Sequence, residues 1–425
     1  MSTQKLITEL QSLGLRLLDP PDPGSPGGSE GSWTSRRGGA GPTDHAAVTL
    51  DGVTVMVPIH TELAAVSPLS ARLSADGAGV VERDGEALAR IQIARTPRFY
   101  RLSTRDGVPY PQIALLHGTD VLASTVLQTC VRYSDPATAC AFCAIGPSLA
   151  AGRTLARKTP EQLAEVAEAA ARLDGIRHVT LTTGTPRSAD RGAAHLADCA
   201  RAIKARVDLP VQAQCEPPED FVWFERMRAA GVDSLGMHLE AVEDEVRAAV
   251  LPGKAEVSVA RYFDAFEAAV RVFGRGQVST YLIAGLGDSR ETLIATSERL
   301  IAIGVYPFIV PLVPIHGTGL SDRAPPSGEF MRSIYAHVGP LLERGGLRSA
   351  DAKAGCVRCG ACSALSNFEN VDRGRGLADP SKQPEGVHDL PVHLPAGSEP
   401  ASAACVSPFA PSHLLRRAKP IQNHR

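Results

Sequence analysis

Residues 121–143 read VLASTVLQTCVRYSDPATACAFC, and this stretch decides the fold. Its first eight residues, 121–128, form a short apolar run that fits a buried strand. Beyond that run stand Cys130, Cys140 and Cys143, the last two framing Ala141 and Phe142. Three thiolates at the end of a strand can hold three irons of a four-iron, four-sulfur (4Fe–4S) cluster and leave the fourth iron without a protein ligand. An open iron is a place for chemistry as well as for electron storage.

Strand and helix alternate from there. Thr159 as N-cap, Pro160 at N1 and Gln162 closing a capping box start a helix. Leu163, Val166, Ala167, Ala170 and Leu173 line one face of it, and Gly175 stops it. Strands are expected at 176–181, 211–214, 234–239, 278–284 and 306–310. The helices between them fall at 193–205, 221–230, 259–273 and 290–303. The strands end in Thr182-Thr183-Gly184-Thr185-Pro186, in Cys215-Glu216, at Glu240, and in Gly285-Leu286-Gly287-Asp288. Six such units imply parallel strands with right-handed crossovers. The expected class is α/β, either a doubly wound sheet or a partial (β/α)6 TIM-like barrel. In both, ligands sit at the carboxyl ends of the strands, where all of these polar groups fall.

Around the core (120–320) the chain changes texture. Residues 1–45 read as a helix over 2–18, with Leu6, Leu10 and Leu13 on one face, and then a flexible Gly, Pro and Ser-rich linker. Residues 46–119 read as a small accessory β-rich region. Residues 321–375 are a Cys-rich extension carrying Cys356, Cys359 and Cys362. Residues 376–425 are a Pro, Ser and Ala-rich tail, expected to be poorly ordered, with Cys405 isolated in it. Two Cys-x2-Cys steps sharing a residue resemble ferredoxin spacing, so a second iron–sulfur cluster is expected there and zinc is the alternative. No fourth ligand is obvious beyond Cys405.

The formal net charge of −2 gives no electrostatic reason to expect a nucleic-acid partner. The basic cluster Arg416, Arg417, Lys419 and Arg425 reads as a solvated tail. The first twenty residues contain Lys5, Glu9 and Arg16 and lack the apolar core of a secretory signal. The uncharged stretch 300–320 is broken by Pro307, Pro311 and Pro314, which fits a strand and loop rather than a membrane helix. A cytoplasmic protein without membrane association is expected. Nine cysteines in a reducing compartment point to metal or redox chemistry rather than disulfides.

The cysteine triad, with an aromatic residue before its last member, resembles that of the radical S-adenosylmethionine (SAM) superfamily, and the likeness covers residues 120–320. The usual superfamily spacing is Cys-x3-Cys-x2-Cys, whereas here the first gap holds nine residues. Loop closure costs grow slowly with length, so the longer gap does not forbid a cluster. The resemblance gives the other motifs roles. Thr182, Thr183 and Gly184 sit where a glycine-rich turn holds the amino group of SAM. Glu216 and Glu240 sit where polar residues contact its ribose or methionine part. Phe142, Ile283 and Gly285 sit where the adenine packs, although Tyr281 replaces a usual Gly and Asp288 a usual Glu. The stretch 274–287 is biotin-synthase-like. The run 355–363 resembles radical SAM proteins of bacterial nitrilase-associated gene clusters.

What the resemblance implies is a radical SAM enzyme. The three thiolates Cys130, Cys140 and Cys143 hold the cluster, SAM binds its open iron, and reductive cleavage yields a 5′-deoxyadenosyl radical that takes hydrogen from a small-molecule substrate. A one-electron reductant such as ferredoxin or flavodoxin is implied as partner. The alternatives are a non-catalytic iron–sulfur or zinc protein serving electron transfer or assembly, and an ordinary SAM-dependent methyltransferase, which would have no use for the triad. His238 reads as a core histidine. His316, in a loop near the sixth strand, reads as a substrate contact. Cys199 and Cys215 read as apolar fillers. No residue pattern names the substrate.

Overall fold

The structure, a computed structural model, describes residues 1–18 and 44–369. Most of the expected linker, the expected tail, Cys405 and the terminal basic cluster lie outside the described residues.

Two sheets organise the chain. The smaller is built from β1 (Arg16–Leu17), β2 (His45–Leu50), β3 (Val53–Pro58), β4 (Leu69–Leu73), β5 (Ala78–Arg83) and β6 (Glu86–Ile93), in the order β1-β4-β5-β6-β2-β3. All its pairings are antiparallel except β1 with β4. Residues 2–18 are therefore not one helix. The helix Thr3–Leu13 stops at Gly14, whose φ is 73°, and the chain continues as β1. A Cβ at Gly14 would lie 2.9 Å from the Pro58 carbonyl oxygen, so only glycine allows both the left-handed turn and the close approach.

The larger sheet contains β7 (Leu115–His117), β8 (Val121–Thr125), β9 (His178–Thr182), β10 (Val211–Gln214), β11 (Ser234–Gly236), β12 (Val278–Ala284) and β13 (Val305–Pro311), in that spatial order. The strands β8 to β13 run parallel, and β7 joins β8 through a tight antiparallel turn. No pairing joins β7 to β13 among the described residues, so the sheet is open. Side chains from β8, β9, β10, β12 and β13 nevertheless face one cavity, which requires a curled sheet, an incomplete barrel.

Helices cover the outer face. The Thr159–Gln162 capping box is present, Pro160 opens the helix Pro160–Asp174, and Gly175 ends it at φ 65°. Leu163, Val166, Ala167 and Ala170 are buried on its inner side. The helix Val259–Phe273 buries Tyr262, Ala265, Phe266, Ala269 and Phe273 in the same way. Beyond β13 the helix Gly328–Arg344 packs on the helices Thr3–Leu13 and Arg290–Ala302. No helix among the described residues is long and apolar enough to cross a membrane.

Candidate functional site

The parallel order places every strand's carboxyl end on one rim, and the expected chemistry gathers there. A cavity of about 440 Å³ is lined by Cys130, Cys140 and Cys143, by Phe142, by Thr182, Thr183 and Gly184, and by Glu216, Glu240 and Ile283. Cys215, His238 and Tyr281 also face it. Gly285 and His316 are not among its walls. Gly285 turns the chain at φ 100°, and His316 is almost fully exposed, 3.9 Å from Glu62.

The loop bearing the triad is tied down by backbone bonds. Ala141 N–H donates to the Val250 carbonyl at 2.7 Å, Val131 N–H to Thr185 O at 2.8 Å, and Gly184 N–H to Leu127 O at 2.8 Å. Lys158 is buried beneath it and donates to Thr125 O, Thr154 Oγ1 and Leu155 O at 2.7, 2.6 and 2.9 Å. Burial alone pulls the Lys158 amine down to about 7. Three oxygen acceptors match the three donors of an ammonium, and they hold it against that pull. A Cβ at Gly184 would lie 2.2 Å from the Thr129 carbonyl oxygen, so the turn and the cysteine loop touch only because this residue is glycine. Burial raises the Cys140 thiol to about 12, with the Glu240 carboxylate adding to it, and the Cys143 thiol to about 11. Without an electropositive ligand these sulfurs are protonated. A metal that binds them must displace the protons, as cluster irons do.

Both acidic residues carry buried cationic partners that the local sequence does not announce. Arg132 Nη1 pairs with Glu216 Oε1, and Arg132 Nε donates to Gly253 O at 2.6 Å. Thr185 Oγ1 donates to the same Glu216 oxygen at 2.8 Å. The other oxygen, Oε2, is buried with no protein partner. Lys254 Nζ meets Glu240 Oε2 at 2.9 Å. Burial opposes the charge on Lys254, but the Glu240 carboxylate more than offsets it and keeps the ammonium. Glu240 is also strained, at φ 70°, and is held by its N–H to Tyr281 O and by Ile283 N–H to its own carbonyl, both 2.8 Å. Asp288 does not face the cavity. It accepts the N–H groups of Val242 and Glu243 at 2.9 and 2.8 Å, fixing the turn after Glu240.

His238 is half-buried at the cavity wall rather than a core residue, and loss of solvation pulls its imidazole down to about 3. Its ring packs on Tyr281 at 4.3 Å and accepts the Tyr281 N–H. Cys199 is fully buried in its helix, consistent with a filler, whereas Cys215 is buried yet reaches the cavity.

The second cysteine run lies at the other end of the strands. Gln277 Nε2 donates to Asp351 O at 2.9 Å, Gly355 N–H to His178 Nδ1 at 3.0 Å, and Cys356 N–H to Gln212 Oε1 at 3.1 Å. These contacts are to the residue just before β12 and to the amino-terminal halves of β9 and β10. Gln214 Nε2 donates to Cys356 Sγ at 3.2 Å. Cys356–Cys359 form one helical turn, and Cys362 reaches the cavity. The small sheet closes over this loop. Met56 N–H donates to Ala361 O at 2.8 Å, and Ala361 packs on Ala47 and Met56. The first set of three thiols and Cys362 of the second thus line one cavity. None of the eight described cysteines is in a disulfide. Among the described residues no three His, Cys, Asp or Glu side chains stand close enough to share one metal ion.

The donor set fits a 4Fe–4S cluster with SAM at Cys130, Cys140 and Cys143. Three thiols line a shared cavity, no fourth cysteine of that loop competes, and Glu216, whose buried Oε2 has no protein partner, is among the same walls.

Residues 135–300 match the family model of the Radical SAM superfamily. The chain therefore carries a domain of that enzyme superfamily. Bacteriochlorophyllide c C-7(1)-hydroxylase of Chlorobaculum limnaeum is 29% identical over 136 residues, 32% of this chain and 34% of that protein. The match thus spans about a third of that relative's length. Two solved structures are also similar. Methylornithine synthase is 16% identical, over 66% of this chain and 86% of the other, with a TM-score of 0.42. A radical SAM methyltransferase from Sphaerobacter thermophilus is 15% identical, over 67% and 76%, also at 0.42.

Proposed function

We propose that the protein is a radical SAM enzyme built on a partial (β/α)6 barrel, acting on a small molecule held in the cavity between its two cysteine sets. The observation that carries this reading is the convergence of Cys130, Cys140, Cys143, the Thr182–Gly184 turn and the Glu216 carboxylate on one cavity at the carboxyl ends of parallel strands. When bound, the cluster and SAM supply one-electron cleavage of a carbon–sulfur bond and a carbon radical able to take hydrogen from substrate.

The chain's own residues do the rest. Cys130, Cys140 and Cys143 hold three irons. Thr182, Thr183 and Gly184 offer the exposed backbone of a turn pressed against the cysteine loop. Glu216, fixed by Arg132 and Thr185, keeps Oε2 free to accept a hydrogen bond from the ligand. Glu240, fixed by Lys254, presents its second oxygen at the same rim. Phe142 and Ile283 supply apolar walls for an adenine ring. The curled sheet and the small sheet enclose the site, which suits a radical that must not meet solvent. Cys356, Cys359 and Cys362 hold a second iron–sulfur cluster at the far end of the cavity. The reductant is a small electron carrier of the ferredoxin or flavodoxin kind, and the protein works in the cytoplasm. Membership in the nitrilase-associated group rests on the run 355–363 alone and assigns no substrate.

Titrating SAM into anaerobically reconstituted, reduced protein is expected to change the electron paramagnetic resonance spectrum of the cluster. Glu216→Gln protein is expected to bind SAM about tenfold more weakly or worse, since a hydrogen bond to a charged group contributes about 1.5–3 kcal/mol. A spectrum indifferent to saturating SAM would instead favour the non-catalytic carrier.

A further inference from the structure

We infer that His117 is the fourth protein ligand of the second cluster, giving it a three-cysteine, one-histidine ligand set. This rests on the reading of Cys356, Cys359 and Cys362 as an iron–sulfur site. His117 ends β7 and faces the start of β8, the same end of the sheet that residues 351–356 touch. Its Nε2 stands 3.3 Å from Cys362 Sγ. A sulfur about 2.3 Å and a nitrogen about 2.0 Å from one tetrahedral metal stand about 3.5 Å apart. The pair thus sits within a few tenths of an ångström of the separation two ligands of one iron require.

The residue after it supports the same placement. Gly118 has a φ of 61°, and a Cβ there would lie 3.1 Å from Cys359 Sγ. The β7–β8 turn therefore presses both His117 and Gly118 against the cysteine loop. Tyr281, where the superfamily resemblance expects Gly, is half-buried, lies beside the same three sulfurs and hydrogen-bonds Cys356. Gln214 donates to Cys356 Sγ as well. Donors aimed at sulfur are the surroundings that an anionic iron–sulfur centre requires. Because no three of these side chains are close enough for a single ion, a two-iron centre suits them better than one zinc, with His117 and Cys362 on one iron and Cys356 and Cys359 on the other. A neutral imidazole in place of a thiolate leaves the centre one charge less negative, so its reduction potential lies above that of its four-cysteine counterpart.

The test uses full-length protein carrying C130A, C140A and C143A, so that retained iron belongs to the second site. It is labelled with ¹⁵N-histidine and reconstituted anaerobically, and circular dichroism checks the fold of every variant. Retained iron and sulfide, with a ¹⁵N coupling in pulsed resonance spectra of the reduced centre, is the expected result. His117→Ala should abolish the coupling and lower the retained iron. His117→Cys should retain iron, lose the coupling and shift the potential downward. Iron retained with no nitrogen coupling, or with a coupling unchanged by His117→Ala, overturns the assignment of His117 and leaves the second cluster standing. No iron in the triple variant overturns the second cluster itself.

Discussion

Cys140→Ala protein, reconstituted anaerobically and supplied with reductant and SAM, is expected to yield 5′-deoxyadenosine only at the level of a protein-free control. The same holds for Cys130→Ala and Cys143→Ala. Each thiol is one of three that hold the cluster in this reading, and their loop offers no spare. Among the described residues the cysteine beside that rim is Cys215, buried just after β10 and raised to about 12 by burial, with Glu216 next to it. It is a poor replacement ligand. Iron counting distinguishes the sites, because the second set should keep its own iron when the first is removed. Turnover surviving in any of the three variants would move the SAM-binding cluster elsewhere.

The second large effect concerns stability. Arg132→Met should destabilise the reduced apoprotein by about 3–5 kcal/mol, because it leaves the Glu216 carboxylate buried without its cation. Both side chains are only 9% exposed, so water cannot take over the pairing. Arg132 also donates to the Gly253 carbonyl and so joins the cysteine loop to the segment bearing Lys254. Glu216→Gln alone should cost less, since Gln can still accept from Thr185 and donate toward the cavity. The double variant should recover part of the loss, the signature of a coupled pair in a double-mutant cycle. Urea unfolding of the four proteins measures this. Additive losses would mean that the pair contributes no coupling.

Much of the scaffold was legible because its signals are local. The Thr159–Gln162 box, Pro160 and Gly175 delimit a helix within one stretch of chain, and the structure has that helix with those caps. The strand ends that line the cavity could be read because a parallel sheet puts all of them on one rim. The helix Gly328–Arg344 was missed although it was readable. Ser327 caps it, and Met331, Ile334, Tyr335, Val338 and Leu342 recur at helical spacing. The interior Pro340 and the break in strand–helix alternation after residue 320 obscure that pattern.

The cations beside the acidic residues were not legible. Arg132 lies 84 residues from Glu216 in sequence, and nothing in either neighbourhood marks the pair. His117 lies 245 residues from Cys362 and reads locally as one polar residue before a turn. Tyr281 could be seen as a departure from the resemblance, but its reason, the second set of sulfurs, appears only when residues 351–362 fold back against the sheet. Local pattern gives strands, caps and loops. Which charges meet across a curled sheet depends on how far it curls, and periodicity does not encode that.

The most direct measurement is the product of reduction. Anaerobically reconstituted wild-type protein with a full iron complement, mixed with dithionite and SAM, should release methionine and 5′-deoxyadenosine in time-dependent amounts exceeding those of the Cys140→Ala protein. A fully loaded wild-type protein that forms no 5′-deoxyadenosine above that control would contradict the assignment of Cys130, Cys140 and Cys143 as the SAM-cleaving centre.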